Sequence, residues 1–212
     1  RILSLGERMS SLLFQTALTQ IMPEKTIELL DARKIIKTNN SFNEATPIPS
    51  EIKKLCSGLD LTSNIIYITQ GFIGSNDENE TTTLGRGGSD YSAALIAEGI
   101  SADKIEIWTD VAGIATTDPR ICKNATPIPE LTFKEAAEMA VFGAKILHPT
   151  TLTPAMRSKI GVFVGSSYEP EKKGTWIRKQ TDKTPLVRAL AIRPNQSLIT
   201  LSTPLMLNTH GF

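Results

Sequence analysis

The chain has 212 residues, 40% of them hydrophobic and 21% charged, and its 23 basic side chains against 22 acidic ones leave a formal net charge of +1. This is the composition of one or two ordinary globular domains, with no basic field to hold a nucleic-acid backbone and no apolar run near the roughly 18 to 20 residues that span a bilayer. Two cysteines, Cys56 and Cys122, and two histidines, His148 and His210, supply neither a disulfide framework nor a four-ligand zinc site of the usual spacing, so the sequence reads as a soluble protein of the reducing cytoplasm.

Met9, Leu12, Leu13, Thr16, Ala17 and Gln20 recur at steps of three and four. They predict a helix with one buried face, entered near Ser4 and Gly6 and stopped before Pro23. The short apolar stretch from Thr26 to Ala32 predicts a strand, as does the β-branched and aromatic run from Asn64 to Gln70, which ends at Gly71. Between them, Pro47 and Pro49 lead into a short helix from Ser50 to Leu59. Beyond a polar tip from Asn76 to Thr81 comes a glycine cluster, then an alanine-rich helix from Ser89 to Ala97 closed by Gly99 as its C-cap. Ile105 to Asp110 alternates and predicts a strand running into a loop. Thr132-Phe133-Lys134-Glu135 is a capping box, with Phe133, Ala136, Ala137 and Ala140 on one face and Gly143 past the end. Thr153 to Lys159 predicts a helix closed by Gly161, and Val162 to Val164 a strand.

Short strands alternating with helices predict an α/β fold, a three-layer sandwich with a mainly parallel sheet between helices. Polar residues and proline interrupt the pattern from Asp182 to Pro185, after which Val187–Ile192 and Ser197–Leu201 predict two strands of a second domain. The expected division is a first domain over 1–182 and the start of a second over 186–212. The chain opens on Arg1-Ile2-Leu3 without a methionine and closes on Gly211-Phe212 just as a new pattern begins, so it is expected to be an internal piece of a longer protein.

The densest chemical signal runs from Gly71 to Asp118. Gly85-Arg86-Gly87-Gly88-Ser89-Asp90 stands directly before a predicted helix, so backbone N–H groups unobstructed by β-carbons meet the positive end of the helix dipole, an anion cradle. Arg86 adds a planar fork for a carboxylate or phosphate. Ser89 can cap the helix or donate to the same anion, and Asp90 can hold a catalytic cation. The plainer alternative is a tight glycine turn with Ser89 or Asp90 as an N-cap. The loop lacks the spacing of G-x-G-x-x-G and of G-x-x-x-x-G-K-[ST], and neither the protein-kinase H-R-D and D-F-G pair nor G-x-S-x-G occurs.

A second loop, Thr109 to Arg120, follows the next strand, where parallel sheets bind ligands, and offers hydroxyls, two carboxylates and an arginine. It reads as a nucleotide contact surface, or else Asp118-Pro119 merely starts a turn and Arg120 is a solvated charge. Lys145 suits either a phosphate or helix-end carbonyls, His148 reads as a turn residue before Pro149, and Glu7 is a favourable acid in the first turn of its helix.

Taken together, Ser4-Leu5-Gly6-Glu7-Arg8-Met9-Ser10, Gln70-Gly71-Phe72-Ile73-Gly74, the run from Thr82 to Ala94 (T-T-L-G-R-G-G-S-D-Y-S-A-A), Trp108-Thr109-Asp110-Val111-Ala112-Gly113, Thr117-Asp118-Pro119-Arg120 and Phe142-Gly143-Ala144-Lys145-Ile146-Leu147-His148-Pro149 resemble the aspartokinases in order and spacing. The resemblance covers most of residues 1 to 178, and Val187 to Phe212 is similar to the first strands of ACT-type regulatory domains. It implies an amino-acid-kinase fold followed by a truncated α+β ACT-type segment, and transfer of the ATP γ-phosphoryl group to the side-chain carboxylate of L-aspartate.

By position, the resemblance implies that Glu7 holds the amino group of aspartate and Arg86 its α-carboxylate, with Phe72, Gly87, Gly88 and Ser89 shaping the pocket. Asp90 orients a catalytic lysine, so Asp90 and Arg86 are the catalytic candidates. Thr109, Asp110, Ala115, Arg120, Lys145 and Ile146 line the ATP site, with Thr117 and Asp118 supporting the loop; Ala115 stands where relatives often carry a larger side chain. ATP with its Mg²⁺ is the implied cofactor, and no other metal is implied. A feedback amino acid, lysine or threonine, and a homo-oligomer are the implied partners of the full-length protein, without nucleic acid or membrane. The family's K-F-G-G-T run, which carries the catalytic lysine, is not among these 212 residues, so this piece alone is expected to be inactive and to self-associate through sheet surface left bare. The competing readings are a nucleotide or amino-acid sensor without turnover and a kinase for glutamate or acetylglutamate.

Overall fold

The computed structural model describes residues 2–61, 64–143, 147–182, 185–192 and 195–197. Helix α1 (Ile2–Ile21) forms as its spacing predicts, but it is turned over. Its buried residues are Ser4 and Ser11, and the half-buried Glu7, Gln15 and Leu18 continue the same stripe. Met9, Leu12 and Leu13, expected inside, are 64%, 52% and 69% exposed. Periodicity identifies a helix, but the neighbours decide which face is buried. Here β1 (Thr26–Leu30) and β2 (Ile65–Thr69) receive the polar stripe, and Gln15 Nε2 donates to the Ile27 carbonyl at 3.2 Å.

After β1 come the single turn α2 (Ala32–Ile35), capped by the Asp31 side chain on the Arg33 N–H, and α3 (Pro49–Cys56), which opens on its proline. Strand β2 runs parallel to β1. The hairpin of β3 (Ile73–Ser75) and β4 (Thr81–Thr83) follows, where only a polar tip was legible. Next are α4 (Gly88–Gly99), β5 (Lys104–Thr109), β6 (Glu130–Thr132), α5 (Phe133–Val141), α6 (Pro149–Ser158), β7 (Gly161–Ser166) and β8 (Thr175–Arg178). The last four strands form one sheet in the order β5-β7-β8-β6, parallel at β5/β7 and β6/β8 and antiparallel at β7/β8. The α/β architecture with mainly parallel pairing is therefore as expected.

Two cores flank α4. Leu95 joins Ile36, Ile52, Cys56 and Ile73 on one side, and Ala94 and Ala97 join Ile107, Leu131, Val162 and Ile177 on the other. Burying a side chain such as Leu95, 1% exposed, is worth about 1.5–3 kcal/mol. Helix α4 is thus clamped on two sides, and its amino terminus, the glycine cluster, is held where those cores place it.

Several helix ends differ from the sequence reading. Gly99 is the last helical residue of α4, not its left-handed cap; Ser101 takes that role at φ 53°, with Ala102 N–H donating to Ala97 O in a Schellman arrangement. A β-carbon on Gly99 would lie 2.8 Å from Cys56 Sγ, so helix packing requires the glycine. Similarly, α6 starts a turn early at Pro149 and ends at Lys159 (φ 60°), while Gly161 opens β7. The capping box of α5 is complete, with both hydrogen bonds between Thr132 and Glu135 made, and Gly143 follows at φ 105°.

Residues 185–192 form no strand, contrary to the pattern of Val187–Ile192. They are tied down by Leu190 N–H on Thr116 O at 2.8 Å and by Arg188 Nε on Glu135 Oε1 at 2.9 Å. Leu186, Val187, Leu190 and Ile192 stay exposed, because a strand needs a pairing partner and none of the described strands supplies one. The strand expected over Ser197–Leu201 falls almost wholly outside the described residues. No helix among the described residues is long and apolar enough to cross a membrane.

Candidate active site

The G-R-G-G-S-D segment becomes the entry to α4. Gly85 and Gly87 take φ of 74° and 70°, which side chains rarely adopt, and the Gly88 N–H closes a turn on the Gly85 carbonyl at 3.1 Å. Gly87 is the N-cap and no side chain caps the helix. Ser89 and Asp90 therefore lie inside the first turn, not in the capping position considered for them. The first-turn N–H groups have no side-chain partner among the described residues, which leaves the dipole end available to an anion.

Around this turn the packing is close. A β-carbon on Gly71 would meet Ser89 Cα and Cβ at 2.8 Å, one on Gly88 would meet Phe72 Cδ2 at 2.8 Å, and one on Gly87 would meet His148 Cβ at 2.4 Å. Phe72 itself sits at φ 67°; its N–H donates to Ser92 Oγ at 3.0 Å, and Ser92 Oγ donates to the Gly88 carbonyl at 2.8 Å. The turn after β2 and the first turn of α4 are thus one unit in which Phe72 meets Gly88 and Gly71 meets Ser89, while Gly87 rests on His148.

Arg86 is exposed and makes no ion pair among the described residues, so its guanidinium is free for a ligand carboxylate or phosphate. Asp90 is half-buried with no hydrogen-bond or ion-pair partner among the described residues, and burial pushes its carboxyl above the usual aspartate range. A buried acid without a cation is electrostatically incomplete, and an ammonium beside it would restore the charged form. Glu7 lies half-buried on the inward stripe of α1, between Ser4 and Ser11.

The loop from 109 to 120 leaves β5. Thr109 Oγ1 donates to Asp110 Oδ1 at 3.0 Å, and the Thr109 carbonyl accepts from Ser167 N at 2.7 Å, locking the end of β5 to β7. Gly113 (φ 97°) packs against Thr175, whose Oγ1 accepts from Ile114 N at 2.8 Å. Ala115 bridges to Pro127, and Thr116 N–H donates to Thr126 O at 2.9 Å. Asp118 starts a turn, accepting Arg120 N at 2.9 Å on its side chain and Ile121 N at 2.9 Å on its carbonyl.

Arg120 is not a lone solvated charge: its guanidinium forks onto Asp118 at 3.0 and 2.7 Å, which raises its pKa further. Thr117 is half-buried beside this turn. Lys145 and Ile146 lie outside the described residues. Two contributors went unread in the sequence: Gly71, whose missing β-carbon admits Ser89, and Ser92, which ties Phe72 to the helix. A non-glycine residue at positive φ directly after Gly71 has no sequence signature, so only the paired Gly71 and Gly88 hinted at close approach.

His148 has its Nδ1 hydrogen-bonded to Thr150 Oγ1 at 2.8 Å, a turn residue with a satisfied ring as the sequence suggested. No cluster of three or more His, Cys, Asp or Glu side chains suited to a metal occurs among the described residues. The arrangement is one for binding and aligning anions: uncapped N–H groups, a free guanidinium and a desolvated acid, with a hydroxyl-rich loop at the end of the other sheet.

The chain is similar to lysine-sensitive aspartokinase 3 of Escherichia coli K12, with 50% identity over 216 residues, covering 100% of this chain and 47% of that protein. Its fold matches the crystal structure of E. coli aspartokinase III in complex with aspartate and ADP, with a TM-score of 0.83 at 50% identity over 89% of this chain and 42% of that one. The lysine and aspartate complex of the same enzyme gives 0.77 at 49% identity, over 88% and 42%. The chain spans about half the length of the curated relatives it matches. Residues 1–166 match the amino acid kinase family, and on this match, together with the glycine-cradled helix entry described above, the chain belongs to that family.

Proposed function

We propose that the protein is an aspartate kinase, transferring the γ-phosphoryl group of ATP to the side-chain carboxylate of L-aspartate to give 4-phospho-aspartate and ADP. The observation that carries this reading is the amino terminus of α4, which no side chain caps among the described residues, next to Arg86, which has no ion pair among them, in contact with the Phe72 turn. The aspartate and ADP held by the E. coli relative support it. In this assignment Arg86 holds the α-carboxylate, Glu7 the amino group, and Phe72, Gly87, Gly88 and Ser89 form the wall. Thr109, Asp110, Ala115 and Arg120, with Lys145 and Ile146, take the nucleotide, and Thr117 and Asp118 brace the loop.

The chemistry suits these residues. The attacking carboxylate is ionised at neutral pH, so no general base is required; one of its oxygens bonds to the γ-phosphorus as the bond to the ADP oxygen breaks. The protein's task is to align two anions and offset their repulsion. The first-turn amides and Arg86 do so on the amino-acid side, and Asp90 would fix a lysine ammonium that balances the transferring phosphoryl group. Mg²⁺ would enter with ATP and be held chiefly by its phosphates.

The E. coli enzyme has been crystallised with lysine, which makes lysine the feedback ligand to test first for the full-length protein. The same reading assigns residues 1–182 to the kinase domain and 186–212 to the start of a regulatory domain, in a homo-oligomer of the cytoplasm. The deciding experiment is ATP-dependent acyl-phosphate formation by the full-length protein, trapped with hydroxylamine, using aspartate, glutamate and acetylglutamate in parallel. Product with aspartate alone establishes the reaction; folded protein that yields none with any of them overturns it in favour of a sensor.

A further inference from the structure

Helix α1 carries Glu7, yet it is attached to the body by almost nothing apolar. Its inward stripe is Ser4, Glu7, Ser11, Gln15 and Leu18, and only Leu18 is hydrophobic, about three turns from Glu7. Hydrophobic packing is non-directional and tolerates sliding, whereas hydrogen bonds between buried groups define one register. The placement of Glu7 therefore depends on polar contacts near Ser11.

The contact at Ser11 runs to Gln70, while Gln15 separately reaches the Ile27 carbonyl. Gln70 is only 4% exposed. Gln70 Oε1 accepts from the Ala32 N–H at 2.9 Å, and Nε2 donates to Ser11 Oγ at 2.8 Å. Ser11 Oγ in turn donates to the carbonyl of Arg8, the residue after Glu7, at 3.1 Å. On the chain side, Gln70 is followed by Gly71, pressed on Ser89, and by Phe72, bonded to Ser92. One buried amide thus stands between the helix of Glu7 and the helix of Ser89.

We propose that Gln70 is a positioning residue that fixes the spacing between Glu7 and the Arg86–Ser89 turn, and hence the fit of the amino-acid substrate. This rests on the assignment of Glu7 and Arg86 made above. The residue type follows from the geometry. A main-chain donor and a hydroxyl acceptor must be served at once, and a neutral amide does this with an oxygen and an NH2 group on one planar end. A glutamate would keep the bond to Ala32 but offer lone pairs to Ser11, whose hydroxyl would turn toward it and release Arg8. Nothing in this network touches the loop from 109 to 120, so the effect should be selective for the amino acid.

The test uses the full-length protein with Ser11→Ala, Gln70→Glu and Glu7→Ala, alone and as the two double variants containing Glu7→Ala. Hydroxamate formation gives KM for aspartate and for ATP. The two relay variants should each raise the aspartate KM about five- to tenfold and leave the ATP KM within about twofold, and neither should add more than about twofold once Glu7 is alanine. Multiplying effects in the double variants, a parallel rise in the ATP KM, or an unchanged aspartate KM in both relay variants would each overturn the relay. Ser11→Ala retains the Gln70–Ala32 bond and answers the question if Gln70→Glu does not fold. An unchanged aspartate KM in Glu7→Ala removes the underlying assignment and the relay with it. A relay failing alone looks different, because Glu7→Ala is then still impaired while the relay variants multiply with it, raise the ATP KM in parallel, or leave the aspartate KM unchanged.

Discussion

Gly87 and His148 stand so close that a β-carbon added to the glycine would lie 2.4 Å from the histidine Cβ. The contact joins the N-cap of α4 to the N-cap of α6 and seats the glycine turn on a side chain whose ring is fixed by Thr150. Gly87→Ala combines this clash with a φ of 70°, so it should cost about 1–3 kcal/mol of stability and at least about tenfold in kcat/KM for aspartate. Replacing His148 by glycine in the same protein removes that β-carbon, and should relieve the clash but not the backbone strain, giving partial recovery. Thermal unfolding with hydroxamate kinetics on the single and double variants checks both.

Arg86→Ala should raise the aspartate KM by about tenfold or more, the loss of a charge-assisted double hydrogen bond. The side chain is exposed and unpaired among the described residues, so the melting temperature should stay within about 1–2 °C of the parent. Lysine should not rescue it, because an ammonium lacks the planar fork. Full activity in Arg86→Lys would contradict bidentate recognition.

Asp90 gives a pH prediction. Burial raises its folded pKa above the ordinary 3.8, so the charged carboxylate is disfavoured in the fold and its penalty grows as pH rises through that range. In this chain, where no cation faces the carboxyl among the described residues, Asp90→Asn should therefore raise the urea midpoint at pH 7, with the gain shrinking toward pH 4, while in the full-length protein the same change should lower phosphoryl transfer by about a hundredfold or more. Urea titrations at the two pH values and single-turnover rates test the pair of effects; a stabilising gain that grows at low pH would refute the burial argument.

Glu98 titrates in the opposite sense. The Arg157 fork, with Nε on Oε1 at 2.6 Å, holds its carboxyl below the ordinary 4.5 against the opposing effect of burial, and Ser158 adds a hydrogen bond. The pair links α4 to α6. Its contribution is present above pH 4.5 and lost as pH falls through the depressed folded value. Arg157→Met should cost about 1 kcal/mol at pH 7, modest because Arg157 is half exposed. Both KM values should be unchanged, since neither residue faces the site.

How far the sequence reaches is clearest in particular residues. The capping box at Thr132 and Glu135 was legible because all its partners lie within four positions. The orientation of α1 was not: the 3.6 periodicity of Met9, Leu12 and Leu13 is real, but burial is set by strands far along the chain. Gly99 reads as a C-cap because that is what a helix-end glycine commonly is, whereas close packing on a cysteine of α3 is its reason in the structure. The glycine entry to α4 was readable as an anion cradle since its chemistry is local. Gln70, Gly71, Ser92 and the seat on His148 were not, since each acts through a partner at least eighteen positions away.

Both tryptophans of the chain flank one ring, Phe163, whose centroid lies 5.5 Å from Trp108 and 5.3 Å from Trp176. Trp108 is 45% exposed and immediately precedes Thr109, the first residue of the loop proposed to take the nucleotide, whereas no tryptophan adjoins Glu7 or Arg86 in the sequence. On that proposal, this chain carries a built-in optical reporter placed for the nucleotide and not for the amino acid. Its intrinsic emission should shift on titration with ADP and stay level on titration with aspartate, so the order of substrate binding can be followed without a label.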